Sequence, residues 1–226
     1  MTFECESPGG GMLPRIMLIE DETDLLEYYA EGIRSHGFED IVAFSDTSNI
    51  VDRIVAEYTR AAIIVTDYYV LPRSPGRFLP ELRQRGLNIP SILLSSRIDA
   101  EQLNSLVPQC SYFGFFSKGD RPQVLVRNLS QHLMDIVPNA MEAWIHYRLL
   151  CEARAFVCDL PQKKLEIARR LLQFEEVKTI AGDETLSKTA IYDFKDTIMR
   201  FVLQENQMGR YNALIAAIDE KPTLKT

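Results

Sequence analysis

The chain alternates short apolar runs with longer stretches in which apolar residues recur every three or four positions. RIMLIE at Arg15–Glu20 is the first run, and a helical period follows in Leu25, Leu26, Tyr29 and Ile33 that stops near Gly37. Ile41–Phe44 predicts a second strand and Asn49–Tyr58 a second helix. Ala61–Thr66 (AAIIVT) is apolar almost throughout, the mark of a strand buried on both faces. Phe78–Arg85 predicts a third helix, Ser91–Leu94 a fourth strand and Ala100–Leu106 a fourth helix. Tyr112–Phe116 and Pro122–Met134 complete the series as a fifth strand and fifth helix. Strands alternating with helices in this way predict an α/β fold, a five-stranded parallel doubly wound sheet, because every parallel crossover needs a helix.

The pattern then loses its strands. Ala140–Val157 contains no breaker and reads as a linker helix within a segment 137–158, with Trp144, Tyr147 and Leu150 available to pack on the first domain or on a second copy. Beyond it, four short helices are marked by four apolar sets. These are Leu165, Ala168, Leu171 and Leu172; Val177, Ile180 and Ala181; Ile191, Phe194, Ile198 and Phe201; and Tyr211, Leu214, Ile215 and Ile218. The segment 159–226 is thus a smaller all-α domain after an α/β domain at 15–136. Residues 1–14, with Gly9-Gly10-Gly11 and Pro14, read as a flexible leader, and Met12 is an alternative start.

Composition narrows the class. Of 226 residues, 46% are hydrophobic and 25% charged, which fits a soluble globular protein. No apolar run approaches the ~20 residues of a membrane span, and the first ten residues lack the features of a secretory signal. Cys5, Cys110, Cys151 and Cys158 show no C-x-x-C spacing, so reduced thiols and a cytoplasmic location are expected. Charge is distributed unevenly: up to Asp120 there are 10 basic and 18 acidic residues, and from Arg121 onward 15 and 14. An acidic module joined to a neutral one is the result, which excludes a strongly basic nucleic-acid-coating protein. His36, His132 and His146 are scattered without nucleophile or metal-ligand spacing, so an enzyme is not expected.

In open parallel sheets ligands bind beyond the carboxyl ends of the strands. Strand one ends in Glu20-Asp21-Glu22, strand three in Asp67, strand four in Ser95-Ser96 and strand five in Ser117-Lys118. Carboxylates gathered there repel unless a hard divalent cation such as Mg²⁺ neutralises them. A lysine beside them offers a point charge for phosphate oxygens. Such a site allows a carboxylate to attack a phosphoryl group and hold it as an acyl phosphate. Glu22, for its part, reads as the acidic first turn of a helix.

With RIMLIEDE, IIVTD, Pro72, Gly76, IPSILLSS and FFSK in place, residues 15–134 resemble the receiver domain of a two-component response regulator. The resemblance implies Asp67 as phosphoacceptor and Mg²⁺ held by Glu20, Asp21 and Asp67 with the carbonyl of Tyr69. It implies Ser95 as the switch hydroxyl, Phe115 as the aromatic switch and Lys118 as the phosphate-binding lysine. Phe115 equally suits plain sheet core. Two features depart from the family: Gly119 follows Lys118 where proline is usual, and Pro72 lies five residues past Asp67 where four is usual.

In the last segment, a short helix, the turn Gly182–Leu186 and a longer helix capped by Ser187 form a helix-turn-helix pattern. The register of Leu160, Ile167, Ile180-Ala181, Leu186-Ser187 and Ala190-Ile191 resembles the LuxR-type (NarL/FixJ) output domain. Pro161, Lys164 and Phe174 depart from it, replacing threonine, glutamate and a helix-ending glycine. Lys178, Lys188, Tyr192 and Lys195 are the candidates for DNA contact. From Cys151 onward 12 basic residues meet 12 acidic ones, so little non-specific affinity for phosphate is expected. Together the resemblances imply a response regulator that controls transcription, with a sensor histidine kinase, double-stranded DNA and a second copy as partners. The alternative is a receiver whose helical output domain binds a protein.

Overall fold

The computed structural model describes residues 13–97, 101, 104, 107, 113–119, 121–183 and 186–221. The leader up to Met12, most of the expected fourth helix Ala100–Leu106, Cys5 and Cys110 lie outside the described residues. The chain forms two compact units, Met1–Ile145 and His146–Thr226. Among the described residues no helix is long and apolar enough to cross a membrane.

The first unit is built on β1 (Arg15–Ile19), β2 (Ile41–Phe44), β3 (Ala62–Asp67), β4 (Ser91–Ser95) and β5 (Phe113–Ser117), in the spatial order β2-β1-β3-β4-β5. All four pairings are parallel. Every residue of the central strand β3 is buried, which explains its unbroken apolar run. Side chains alternate across the sheet. Ile16, Leu18, Ile63, Val65, Ile92 and Leu94 share one core with α1 (Thr23–Arg34) and α4 (Pro122–Asp135). By the same alternation Met17, Ile19, Ile64 and Leu93 face the other side, where α2 (Ile50–Glu57) and α3 (Pro75–Gln84) pack together.

Local chemistry fixes the helix ends. α1 stops where Gly37 takes φ +98, a conformation that costs glycine little. Gly32 lies so near α4 that a Cβ there would sit 2.5 Å from Val126 Cγ1. α3 begins at Pro75, earlier than the apolar period at Phe78 predicts. Proline suits a first helical position because its missing N–H is one that has no intrahelical partner there.

A helix of 22 residues, α5 (Val137–Cys158), follows. Within the first unit Ala140 is buried and Trp144 packs edge-on against Tyr58 at 5.1 Å. Within the second unit Leu149, Leu150, Ala153 and Val157 join the core made by α6 (Gln162–Leu172), α7 (Val177–Asp183), α8 (Lys188–Val202) and α9 (Gln207–Glu220). The Lys221 ammonium donates to the carbonyls of Val157, Cys158 and Leu160 at 2.8–2.9 Å, satisfying the end of α5. Ser187 caps α8, its Oγ accepting from the Ala190 N–H at 3.1 Å. Phe174 occupies the left-handed position after α6 with φ 61. There Glu175 N–H donates to Arg170 O and Phe174 N–H to Leu171 O, the paired bonds of a Schellman ending. Cys158, the last residue of α5, is exposed, and Cys151 is half-buried. Burial and the hydrogen bond to Cys151 push the Tyr147 hydroxyl up to about 12.

Candidate functional site

The register brings the carboxyl ends of four strands to one edge. Ile19 lies level with Thr66 on β3, Asp67 with Leu94 on β4, and Ser95 with Ser117 on β5. Glu20, Asp67, Ser95 and Lys118 therefore share that edge. Glu20 is fully buried, Asp67 is 7% exposed and Asp21 is open to solvent. One carboxylate oxygen from each of these three residues lies within 4.8 Å of the other two.

Lys118 holds the cluster together. Its ammonium donates to Glu20 Oε2 at 2.7 Å and stands 3.2 Å from Asp67 Oδ2. The Glu22 N–H adds a longer bond to Glu20 Oε1 at 3.4 Å. Burial is the main influence that raises the Glu20 carboxyl above its ordinary range; Asp67 adds to it, while Lys118 pulls the other way. Burial works against the Lys118 charge, yet the hydrogen bond to Glu20 and the charge of Asp67 hold its pKa above the usual lysine range. Three carboxylates against one ammonium leave a surplus of negative charge on hard oxygen donors. That donor set fits a divalent cation of the Mg²⁺ type, for which Glu20, Asp21 and Asp67 would be the side-chain ligands.

The remaining expected residues fall around this centre. Ser95 is buried, and its hydroxyl donates to the Arg97 carbonyl at 2.7 Å and accepts from the Arg97 N–H at 3.2 Å. The Lys118 N–H donates to the Ser95 carbonyl at 2.9 Å, which ties the end of β5 to β4. Tyr69 lies in the bend after β3, half-exposed, with its ring edge-on to Tyr68. Phe115 is 38% exposed, so its ring is not plain sheet core. Its neighbours Gly114 and Phe116 point to the opposite face. Phe116 packs against His132 at 5.3 Å, and a Cβ on Gly114 would meet His132 Nε2 at 2.9 Å. His132 is therefore half-buried over the sheet. Gly119 donates its N–H to Ser117 Oγ at 3.2 Å in a local turn after β5.

Tyr29 is a neighbour that the apolar pattern did not single out as part of the site. It is buried in α1, and burial is the main influence raising its hydroxyl pKa. Glu20 and Asp67 add to the shift and Lys118 opposes it, which places the phenol in the field of the cluster. Its only sequence signal was a hydroxyl-bearing ring at a core position of the helix.

In the second unit Lys178 on α7 and Lys188, Tyr192 and Lys195 on α8 are all exposed. α7 and α8 pack against each other, with the buried stripe of α8 formed by Ile191, Ile198 and Val202. The exposed surface of α8 also carries Asp193, Asp196 and Arg200.

No protein-family model and no curated protein matches the sequence. Among solved structures, the chain is similar to the response regulator StyR, at 13% identity over 92% of this chain and 98% of that one, with a TM-score of 0.48. It is also similar to full-length FixJ from B. japonicum, at 15% identity over 90% of this chain and 97% of that one, with a TM-score of 0.49. A response regulator receiver domain protein from Clostridium thermocellum is 17% identical over 56% of this chain and 96% of its own, with a TM-score of 0.47.

Proposed function

We propose that this chain is a response regulator of a two-component phosphorelay, phosphorylated on Asp67 by a sensor histidine kinase. The observation that carries the reading is the meeting of Glu20, Asp21 and Asp67 oxygens within 4.8 Å at the carboxyl edge of a parallel sheet, bridged by Lys118. In the reaction an Asp67 carboxylate oxygen attacks the donor's phosphorus. The bond from phosphorus to the donor breaks, and its electron pair leaves with the donor. Mg²⁺ held by Glu20, Asp21, Asp67 and the Tyr69 carbonyl would offset negative charge on the transferring phosphoryl oxygens. Lys118 then exchanges part of its pairing with Asp67 for the phosphoryl oxygens, and Ser95 turns its hydroxyl from Arg97 toward them. Phe115 follows Ser95, and the receiver's two-state equilibrium shifts.

The output of that shift is the α7–α8 helix-turn-helix, with Lys178, Lys188, Tyr192 and Lys195 facing double-stranded DNA to regulate transcription. A second reading, an output unit that docks protein, is favoured by Asp193 and Asp196 on the exposed surface of α8. Retention of genomic fragments at low salt separates the two. Binding by the phosphorylated chain that Lys188→Ala with Lys195→Ala abolishes supports DNA, and no retention supports the protein partner. For the site itself, fluoroberyllate with Mg²⁺ should protect wild type, and not Asp67→Asn, from urea unfolding; equal behaviour of the two refutes the assignment.

A further inference from the structure

The loop after β3 hangs between two anchors. At its start the Tyr68 N–H donates to the Leu94 carbonyl at 3.0 Å, which carries the pairing of β3 with β4 one residue past Asp67. At its far end two bonds go to a single residue, Thr47, in the turn between β2 and α2. The Thr47 N–H donates to the Leu71 carbonyl at 3.0 Å, and Thr47 Oγ1 accepts from the Arg73 N–H at 2.6 Å. These bonds straddle Pro72, which has no N–H to give. Thr47 is fully buried, and its carbonyl accepts from the Ile50 N–H at the start of α2. The Arg73 side chain pairs with Glu81 on α3, Glu81 with Arg85, and Arg85 with Asp52 on α2, so the neighbouring helices are tied to the same loop end. Tyr69 and Val70 stand between the anchors. Val70 is fully buried, and among the described residues no hydrogen bond involves the backbone of either. The Tyr69 carbonyl is thus held in place only through the two anchored ends.

We infer that Thr47 is a positioning residue for the metal site: its clamp on Leu71 and Arg73 sets where the Tyr69 carbonyl stands after Asp67. The inference rests on the proposed role of that carbonyl as a metal ligand. Groups that orient a ligand from behind typically govern metal affinity by about 10–100-fold. Threonine suits the task because its N–H serves one side of Pro72 and its Oγ1 the other. Valine has the same shape but no acceptor, so it would leave the Arg73 N–H without its partner. The one-residue lengthening between Asp67 and Pro72 makes such a restraint necessary, since a longer loop has more ways to place its carbonyls.

Mn²⁺, which takes the same oxygen ligands as Mg²⁺, is the probe. Its free-ion electron paramagnetic resonance signal falls as it binds the intact chain, and Mg²⁺ should displace it. Thr47→Val should weaken binding by about tenfold or more, whereas Thr47→Ser, which keeps the oxygen, should stay within about threefold of wild type. Gly32→Ala, which strains the same unit between α1 and α4, should leave the affinity unchanged. Far-UV circular dichroism verifies that the variants fold. Reciprocity supplies a readout that needs no variant: saturating Mg²⁺ should slow hydrogen exchange of the wild-type Arg73 amide by about tenfold or more. Unchanged affinity in Thr47→Val, an equal loss in Thr47→Ser or Gly32→Ala, or an Arg73 amide indifferent to Mg²⁺ each overturns the inference and leaves the Asp67 site standing. A wild type that binds no Mn²⁺, or no more tightly than Asp67→Asn, overturns the reading of the site and the inference with it.

Discussion

Replacing Lys118 with methionine removes the one cation that, among the described residues, touches both Glu20 and Asp67, and keeps the length of the side chain. Glu20 is fully buried and Asp67 nearly so, hence the variant faces an unpaired buried carboxylate. Removing one partner of a buried pair typically costs about 3–5 kcal/mol. Glu20 has a cheaper exit, because it can take up a proton. From its ordinary value of 4.5, holding that proton at pH 7 costs about 3.4 kcal/mol at ~1.36 kcal/mol per pH unit, and at pH 5 only about 0.7 kcal/mol. The groups facing Glu20 are Asp67 from β3, Tyr29 from α1, the neighbouring Glu22 and Lys118 itself. The sign follows from the raised Glu20 pKa. Its contribution to stability is fully present below 4.5 and is lost as pH rises through the higher folded-state value. Without Lys118 that value rises further, so the loss reaches into the neutral range. Urea unfolding of the intact chain in EDTA, followed by the fluorescence of Trp144 packed on Tyr58, measures it. The variant should be about 3 kcal/mol less stable than wild type at pH 7, with most of the deficit gone by pH 5. A deficit under about 0.5 kcal/mol, or one equal at both pH values, refutes the reasoning about Glu20 and Lys118.

Lys221→Met strips three carbonyls at the end of α5 of their ammonium donor and should destabilise the helical unit by about 1–2 kcal/mol in thermal denaturation followed by circular dichroism; a change below a few tenths would show that water replaces the ammonium without loss. Gly32→Ala drives a methyl against the stiff Val126 side chain and should cost about 1–3 kcal/mol. Pairing it with Val126→Ala should recover most of that cost, and failure to recover would locate the strain elsewhere. Phe174→Gly frees a left-handed residue whose ring is 85% exposed. It should gain about 0.5–1 kcal/mol, the strain relieved less the added freedom of the unfolded chain, and a loss would mean that stacking of Phe174 on Tyr211 outweighs the strain.

The sheet was legible because burial on both faces leaves long apolar runs: β3 appears in AAIIVT and in the structure as a wholly buried strand. Glu20, Asp21, Asp67 and Lys118 were legible too, since each directly follows or ends such a run, and parallel strands share a carboxyl edge. What escaped depends on contacts made across the fold. That the Ser95 hydroxyl turns to the Arg97 backbone is a rotamer choice, which residue type does not reveal. Tyr29 reads as one more core position of α1 until the strands bring Glu20 and Asp67 beside it. His132 fills a space over the sheet that exists only where Gly114 lacks a side chain, which the spacing of the histidines does not reveal. The start of α3 was misplaced because PRSPG reads as a turn, whereas Pro75 occupies the first helical position. Phe174 shows the reverse. Its departure from the glycine of the resembled family is visible in the sequence, and the structure keeps the left-handed geometry that glycine would serve.

On the proposed reading Asp67 accepts a phosphoryl group within the Glu20–Asp21–Lys118 cluster. Intact-mass spectrometry after incubation with acetyl phosphate and Mg²⁺ decides it. One phosphoryl adduct should appear on wild type, depend on Mg²⁺, and vanish both in Asp67→Asn and on hydroxylamine treatment. An unmodified wild-type chain, or an adduct that persists in Asp67→Asn, would contradict the account.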